Sequence, residues 1–206
     1  LEPPNNEGIL MLYFQSDYLE GCAPQILDRL VKTNFDQTPG YGQDIWCEKA
    51  RTLIREAVGN PEADVHFLVG GTQTNSTVIR AMLRNSEGVV CVDTGHITGH
   101  EGGAIEASGH KVLTMPGVNG KMTAEGLVQF LLDYQADHAL DQLMQPGLVY
   151  ISQSTEYGTL YSLSELEAIA SVCQSWNLPL FIDGARLGYA LASDTNDVSL
   201  EDLSRL

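Results

Sequence analysis

From Val65 to Asp183, short apolar runs alternate with segments of helical pattern. Val65–Val69, Gly88–Val92, Lys111–Thr114, Leu148–Ile151 and Leu180–Ile182 are too short for stable helices and are apolar almost throughout. Such runs read as buried strands. Between them, Gln73–Leu83, a glycine-interrupted His96–Ala107, Thr123–Tyr134 and Ser164–Trp176 read as helices. Thr123 and Ser164 are expected N-caps, and Glu167 three residues after Ser164 has the capping-box spacing. This rhythm predicts an α/β fold with a mixed, mostly parallel sheet flanked by helices. Two further helices are expected ahead of it, Pro24–Asn34 and Ile45–Val58, joined through the turn-rich Thr38–Gly42. Residues 1–10 read as a flexible N-terminal arm.

The chain has 206 residues, 43% of them hydrophobic, enough for one sizeable core. Its net charge is -16. No basic patch is present to meet a phosphate backbone, so nucleic acid is excluded as a partner, and an acidic surface suits anionic membranes poorly. No apolar run is long enough to span a bilayer, and the cytoplasm is the expected location. The four cysteines are far apart and form no C-x-x-C pair, so a disulfide scaffold or zinc ribbon is not expected; Cys91 and Cys173 read as core thiols.

In a parallel sheet, ligands collect at the carboxyl ends of strands. Gly70-Gly71-Thr72 follows an apolar run and opens a helix, a place where free N–H groups can hold an anion. Asp183 ends another run and begins Asp183-Gly184-Ala185-Arg186. It is either a helix N-cap or a carboxylate with a partner, and Arg186 can pair with it or bind an incoming carboxylate. His96 follows a strand and an Asp93-Thr94-Gly95 turn, so it too is expected at the ligand edge. His96 and His100 are four apart, a metal-ligand spacing, but no third ligand is evident and no metal is expected. Together, a phosphate cradle, an aromatic ring and an acid are what pyridoxal phosphate (PLP) needs.

Six segments carry a more definite signal: Phe14–Tyr18, Gln37–Gly42, Gly70–Asn75, His96–Ala104, Gly109–Val112 and Phe181–Leu187. In sequence and in order they resemble the threonine aldolase and aromatic amino-acid β-eliminating lyase family, from about Met11 to the C-terminus. The resemblance implies the aspartate-aminotransferase-like fold (fold type I) and a PLP-dependent lyase. Such an enzyme cleaves a β-hydroxy amino acid to glycine and an aldehyde, or eliminates a β substituent. It implies that Gly71, Thr72 and Gln73 hold the phosphate, that His96 stacks on the pyridine ring, and that Asp183 meets the pyridine nitrogen. Arg186, Ser16 and Tyr41 would serve the substrate, a small amino acid. A homodimer or homotetramer is implied too, with active sites between chains.

Two features depart from the family pattern. Where many threonine aldolases have Thr-His-Asn, this chain has Thr155-Glu156-Tyr157. Glu156 is then either a base near the substrate hydroxyl or a solvated surface residue. The family's Schiff-base lysine is expected a few tens of residues after Asp183, yet the lysines here are Lys32, Lys49, Lys111 and Lys121. The expectation from the resemblance is therefore that 11–206 are an N-terminal segment and a partial PLP-binding large domain without the C-terminal small domain, truncated before that lysine and inactive alone, or else a catalytically dead remnant acting as a subunit or binding module.

Overall fold

A computed structural model describes Tyr13 and residues 15–206. The expected arm at 1–10 lies outside the described residues. The chain forms two compact units, Leu1–Ile45 and Trp46–Leu206. The first contains α1 (Pro24–Thr33), with proline at the first helical turn, where its missing N–H costs nothing. Ile26, Leu27, Leu30 and Val31 of this helix are all exposed. Helix α2 (Ile45–Ala57) begins at the boundary between the units.

The second unit runs through α3 (Gly71–Met82), β1 (Glu87–Val92), α4 (His96–Gly99), α5 (Ala104–Ala107) and β2 (Val112–Met115). It continues with α6 (Ala124–Gln135), β3 (Gln145–Ser152), α7 (Leu163–Ser175), β4 (Leu180–Asp183), α8 (Leu187–Leu191) and α9 (Leu200–Arg205). The strands form one sheet in the order β2-β1-β3-β4, and every pairing is parallel. No helix among the described residues is long and apolar enough to cross a membrane.

Strand side chains alternate between the two faces, and both faces are dry. Val90, Val92, Leu113, Met115, Val149 and Ile151 pack with Leu127 and Leu131 of α6 and with Leu166, Ile169 and Cys173 of α7. Val89, Cys91, Val112, Leu148 and Tyr150 pack on the other face with Ile79 and Leu83 and with Ile97 and Ile105. Burial on both sides explains why these strands read as unbroken apolar runs. Each such Val, Leu or Ile contributes about 1.5–3 kcal/mol when fully buried.

Helix ends follow local chemistry. The Thr123 hydroxyl caps α6 by accepting the Gly126 N–H at 3.0 Å. Helix α7 starts two residues earlier than its sequence suggests. Ser162, not Ser164, is the cap, and Glu165, not Glu167, completes the box with its side chain on the Ser162 N–H. Both serines have the right spacing to a glutamate, and the tie is broken by Asp197, which accepts the Leu163 N–H. Glu167 instead meets Arg205 at 3.0 Å. Helix α3 also starts earlier, so Gly71 and Thr72 lie inside its first turn. The expected His96–Ala107 helix is two short helices, parted where Gly102 and Gly103 take left-handed φ of 60° and 75°.

Val65–Val69 is not a strand. Among the described residues it pairs with no strand, and Phe67, Leu68 and Val69 are exposed. Its backbone is met by side chains instead: Arg51 donates to the Val65 carbonyl and Gln73 accepts the Val69 N–H. An apolar run becomes a strand only when a neighbour supplies the ladder.

The core thiols have a measurable consequence. Burial pushes the Cys91 thiol up to about 12, with the Thr98 hydroxyl opposing it, and pushes Cys173 up to about 11. Above pH ~9 an unfolded thiol loses its proton while the folded one keeps it, so the native state binds more protons. The stabilisation is complete below pH ~9 and is lost as pH rises towards the folded values. Unfolding free energies from urea titrations between pH ~8 and pH ~11 should fall at up to about 1.4 kcal/mol per pH unit for each thiol. A flat profile over that window would contradict the burial of these groups.

Candidate active site

The strand order reverses between β1 and β3, because β2 lies outside β1 and β4 outside β3. The carboxyl ends of β1 and β3 therefore open a crevice where the two connections diverge. The loop after β1 delivers His96 to this edge, and the loop after β3 delivers Glu156. They meet there: the His96 backbone N–H donates to Glu156 Oε1 at 3.0 Å, and the Ser152 hydroxyl donates to the same oxygen at 2.8 Å. Glu156 Oε2 is buried and has no partner. The solvated-surface reading of Glu156 is thus corrected. The turn that carries it is closed by the Thr155 N–H on the Thr159 carbonyl, while buried Gln153 clamps both backbone groups of Tyr161.

Asp183 ends β4 and is held by three donors. Tyr150 Oη and Asn75 Nδ2 donate to Oδ2 at 2.6 and 3.1 Å, and the Ala185 N–H donates to Oδ1 at 2.9 Å. Burial, reinforced by the adjacent Asp183 charge, pushes the Tyr150 phenol up, so the hydroxyl remains a proton donor to the carboxylate. Asn75 is 2% exposed and uses the same amide nitrogen on Glu101 Oε1 at 2.6 Å. Both of these partners are carboxylates, which fixes the amide orientation chemically. Glu101 Oε1 then meets His96 Nδ1 at 2.9 Å. A continuous run of hydrogen bonds thus joins Tyr150, Asp183, Asn75, Glu101 and His96.

At the N-terminus of α3, the twelve-residue helix that carries Asn75, Gly70 is the N-cap. A Cβ built on Gly70 or Gly71 would meet nothing within 4 Å, so the approach to the first-turn N–H groups is open. These N–H groups and the helix dipole favour an anion. The Thr72 side chain is exposed; the Gln73 side chain turns back to the Val69 N–H at 2.9 Å, which leaves its own backbone N–H in the first turn.

Arg186 is half-buried and N-caps α8. His100 is exposed, and its ring stacks on His96 with centroids 5.6 Å apart. Among the described residues, no group of three or more His, Cys, Asp or Glu is arranged to hold a metal ion. Ser16 and Tyr41 belong to the first unit; Ser16 is half-buried, and Tyr41 is exposed with a left-handed φ of 61°. In the second unit, the residues brought together are His96, Asp183 and Glu156, with Asn75, Glu101, Tyr150 and Ser152 as the groups that hold them. Asn75 and Tyr150 received no role from sequence. One signal for Asn75 was available: it lies four residues before Ile79, on the buried face of α3. Tyr150 sits in an apolar run and carries no such mark.

Residues 14–203 match the beta-eliminating lyase family. A low specificity L-threonine aldolase of a Pseudomonas species is 32% identical over 181 residues, 87% of this chain and 51% of that protein. The solved structure of a Leishmania major threonine aldolase is 47% identical, with a TM-score of 0.88 over 92% of this chain and 54% of that one. An Escherichia coli aminotransferase at 14% identity and a TM-score of 0.69 shares the fold alone, covering 91% of this chain and 45% of that one. The chain spans about half the length of the curated relatives it matches. Its α/β sheet is that of the fold type I large domain, and the chain belongs to the beta-eliminating lyase family.

Proposed function

We propose that this chain is the cofactor-binding part of a PLP-dependent lyase of the threonine aldolase type, acting on a small β-hydroxy amino acid. The observation that carries the reading is Asp183, fixed by Tyr150, Asn75 and the Ala185 N–H at the carboxyl edge of the sheet. An aspartate so held is suited to a protonated pyridine nitrogen. The open first turn of α3 fits a phosphate. In this reading the backbone N–H groups of Gly71, Thr72 and Gln73 bind it, with the Thr72 hydroxyl beside them. His96 lies against the ring. Arg186 takes the substrate carboxylate; the family resemblance assigns Ser16 and Tyr41 to the substrate as well. The free Oε2 of Glu156 is the acceptor for a proton from the β-hydroxyl. When bound, PLP supplies an electron sink for the carbanion left by carbon–carbon cleavage. A homodimer or homotetramer, as the family resemblance implies, is part of the proposal.

The test is a titration of the 206-residue chain with PLP and, separately, with pyridoxal, followed by cofactor absorbance. PLP should bind saturably and at least about tenfold more tightly, because only it brings charge to the α3 N-terminus. Equal weak binding of both would reject the cradle. Aldehyde release from threonine or phenylserine, measured on a longer chain that carries the expected Schiff-base lysine, then scores the reaction itself.

A further inference from the structure

Glu101 is a carboxylate whose side chain is 1% exposed, and among the described residues it pairs with no Lys or Arg. Its Oε2 is buried and makes no hydrogen bond. All compensation falls on Oε1, which has two partners: Asn75 Nδ2 at 2.6 Å and His96 Nδ1 at 2.9 Å. A buried carboxylate costs free energy unless donors surround it. Asn75 can only donate through that nitrogen, so His96 must supply the second hydrogen. A carboxylate oxygen only accepts, so the hydrogen between the two side chains is carried by Nδ1 and points at Glu101 Oε1.

We propose that Glu101, secured by Asn75, is a positioning residue that fixes His96 in the Nδ1–H form and leaves Nε2 as its acceptor nitrogen. Nε2 has no hydrogen-bond partner among the described residues. The other groups facing His96 do not compete for Nδ1. Glu156 takes its backbone N–H, and His100 stacks on the ring face. The ring is thus held by a bond to one nitrogen and a contact on one face, with the other nitrogen free for a ligand. Asn75 also bonds Asp183, so the same amide sets the carboxylate proposed for the pyridine nitrogen and the carboxylate that orients the imidazole. The tautomer is a property of the protein without cofactor and stands or falls separately from the lyase reading.

The experiment is long-range 15N–1H NMR of the histidine-15N-labelled 206-residue chain over a pH series, comparing the neutral end points. His96→Gln identifies the His96 signals. His110 is an internal standard, because its Nδ1 lies 3.0 Å from the Glu87 carbonyl, which can only accept. Wild-type His96 should show Nδ1 protonated and Nε2 bare. Glu101→Gln keeps an acceptor oxygen and should keep that pattern. Glu101→Leu should lower the Nδ1–H to Nε2–H ratio at least fivefold, with His110 unchanged. An Nε2–H tautomer in the wild-type protein overturns the proposal without any variant. A Glu101→Leu ratio equal to wild type, with His110 intact, overturns it as well.

Discussion

Replacing Asp183 with alanine should destabilise the chain by about 2–5 kcal/mol and abolish saturable PLP binding. The first effect arises because two buried donors lose their acceptor together. Tyr150 is fully buried and Asn75 is 2% exposed, so little water can replace the carboxylate. Each stranded donor costs about 1–3 kcal/mol. Asn75 keeps Glu101, which places its share at the low end. The second effect follows from losing the carboxylate that Tyr150, Asn75 and the Ala185 N–H together orient at this edge. The checks are urea denaturation and the PLP titration. Double replacement with Tyr150→Phe separates the causes: removing the stranded hydroxyl should recover part of the stability and none of the binding. An unchanged urea midpoint in Asp183→Ala would mean that the donors find other partners.

Gly95→Ala should cost about 1–3 kcal/mol, the range for overpacking a well-filled interior. A Cβ at Gly95 would lie 2.2 Å from Cys91 Sγ and 3.2 Å from the Val92 carbonyl. Cys91 is completely buried in β1 between two paired strands and cannot retreat. The loop must move, and the next residue is His96, whose N–H holds Glu156. Stability and site geometry should therefore fail together. A Cys91→Ala background removes the obstructing sulfur. There Gly95→Ala should cost less than half as much, a coupling that a double-mutant cycle measures directly. Equal costs in both backgrounds would show that backbone conformation, not the thiol, requires glycine.

Most of the fold was legible because burial on both faces writes each strand as a continuous apolar run. β1, β2, β3 and β4 lie within a few residues of the expected runs. Val65–Val69 has the same look and fails, since pairing belongs to the neighbour and not to the run. The α7 cap was misplaced by two residues because Ser162 and Ser164 each have a glutamate three positions on. Asp183 and His96 could be placed at the ligand edge because the first ends an apolar run and the second follows one. Asn75 and Glu101 were harder to assign. Their role is to bond one another and those two residues across segments far apart in the chain, and no local pattern encodes such a meeting. Glu156 stood between two readings until the sheet order brought its loop beside the loop after β1.

That order also governs when the site can exist during folding. β2 and α6 lie between β1 and β3 in the chain, so the central pairing closes a long loop. Non-local parallel pairings form slowly, whereas isolated helices form in about a microsecond. The His96 to Glu156 bond spans that pairing, and the Asn75 to Asp183 bond requires β4 to have joined as well. In a refolding experiment, helical ellipticity should therefore recover well before any ligand-binding signal. Intermediates with native-like helix content will be blind to cofactor.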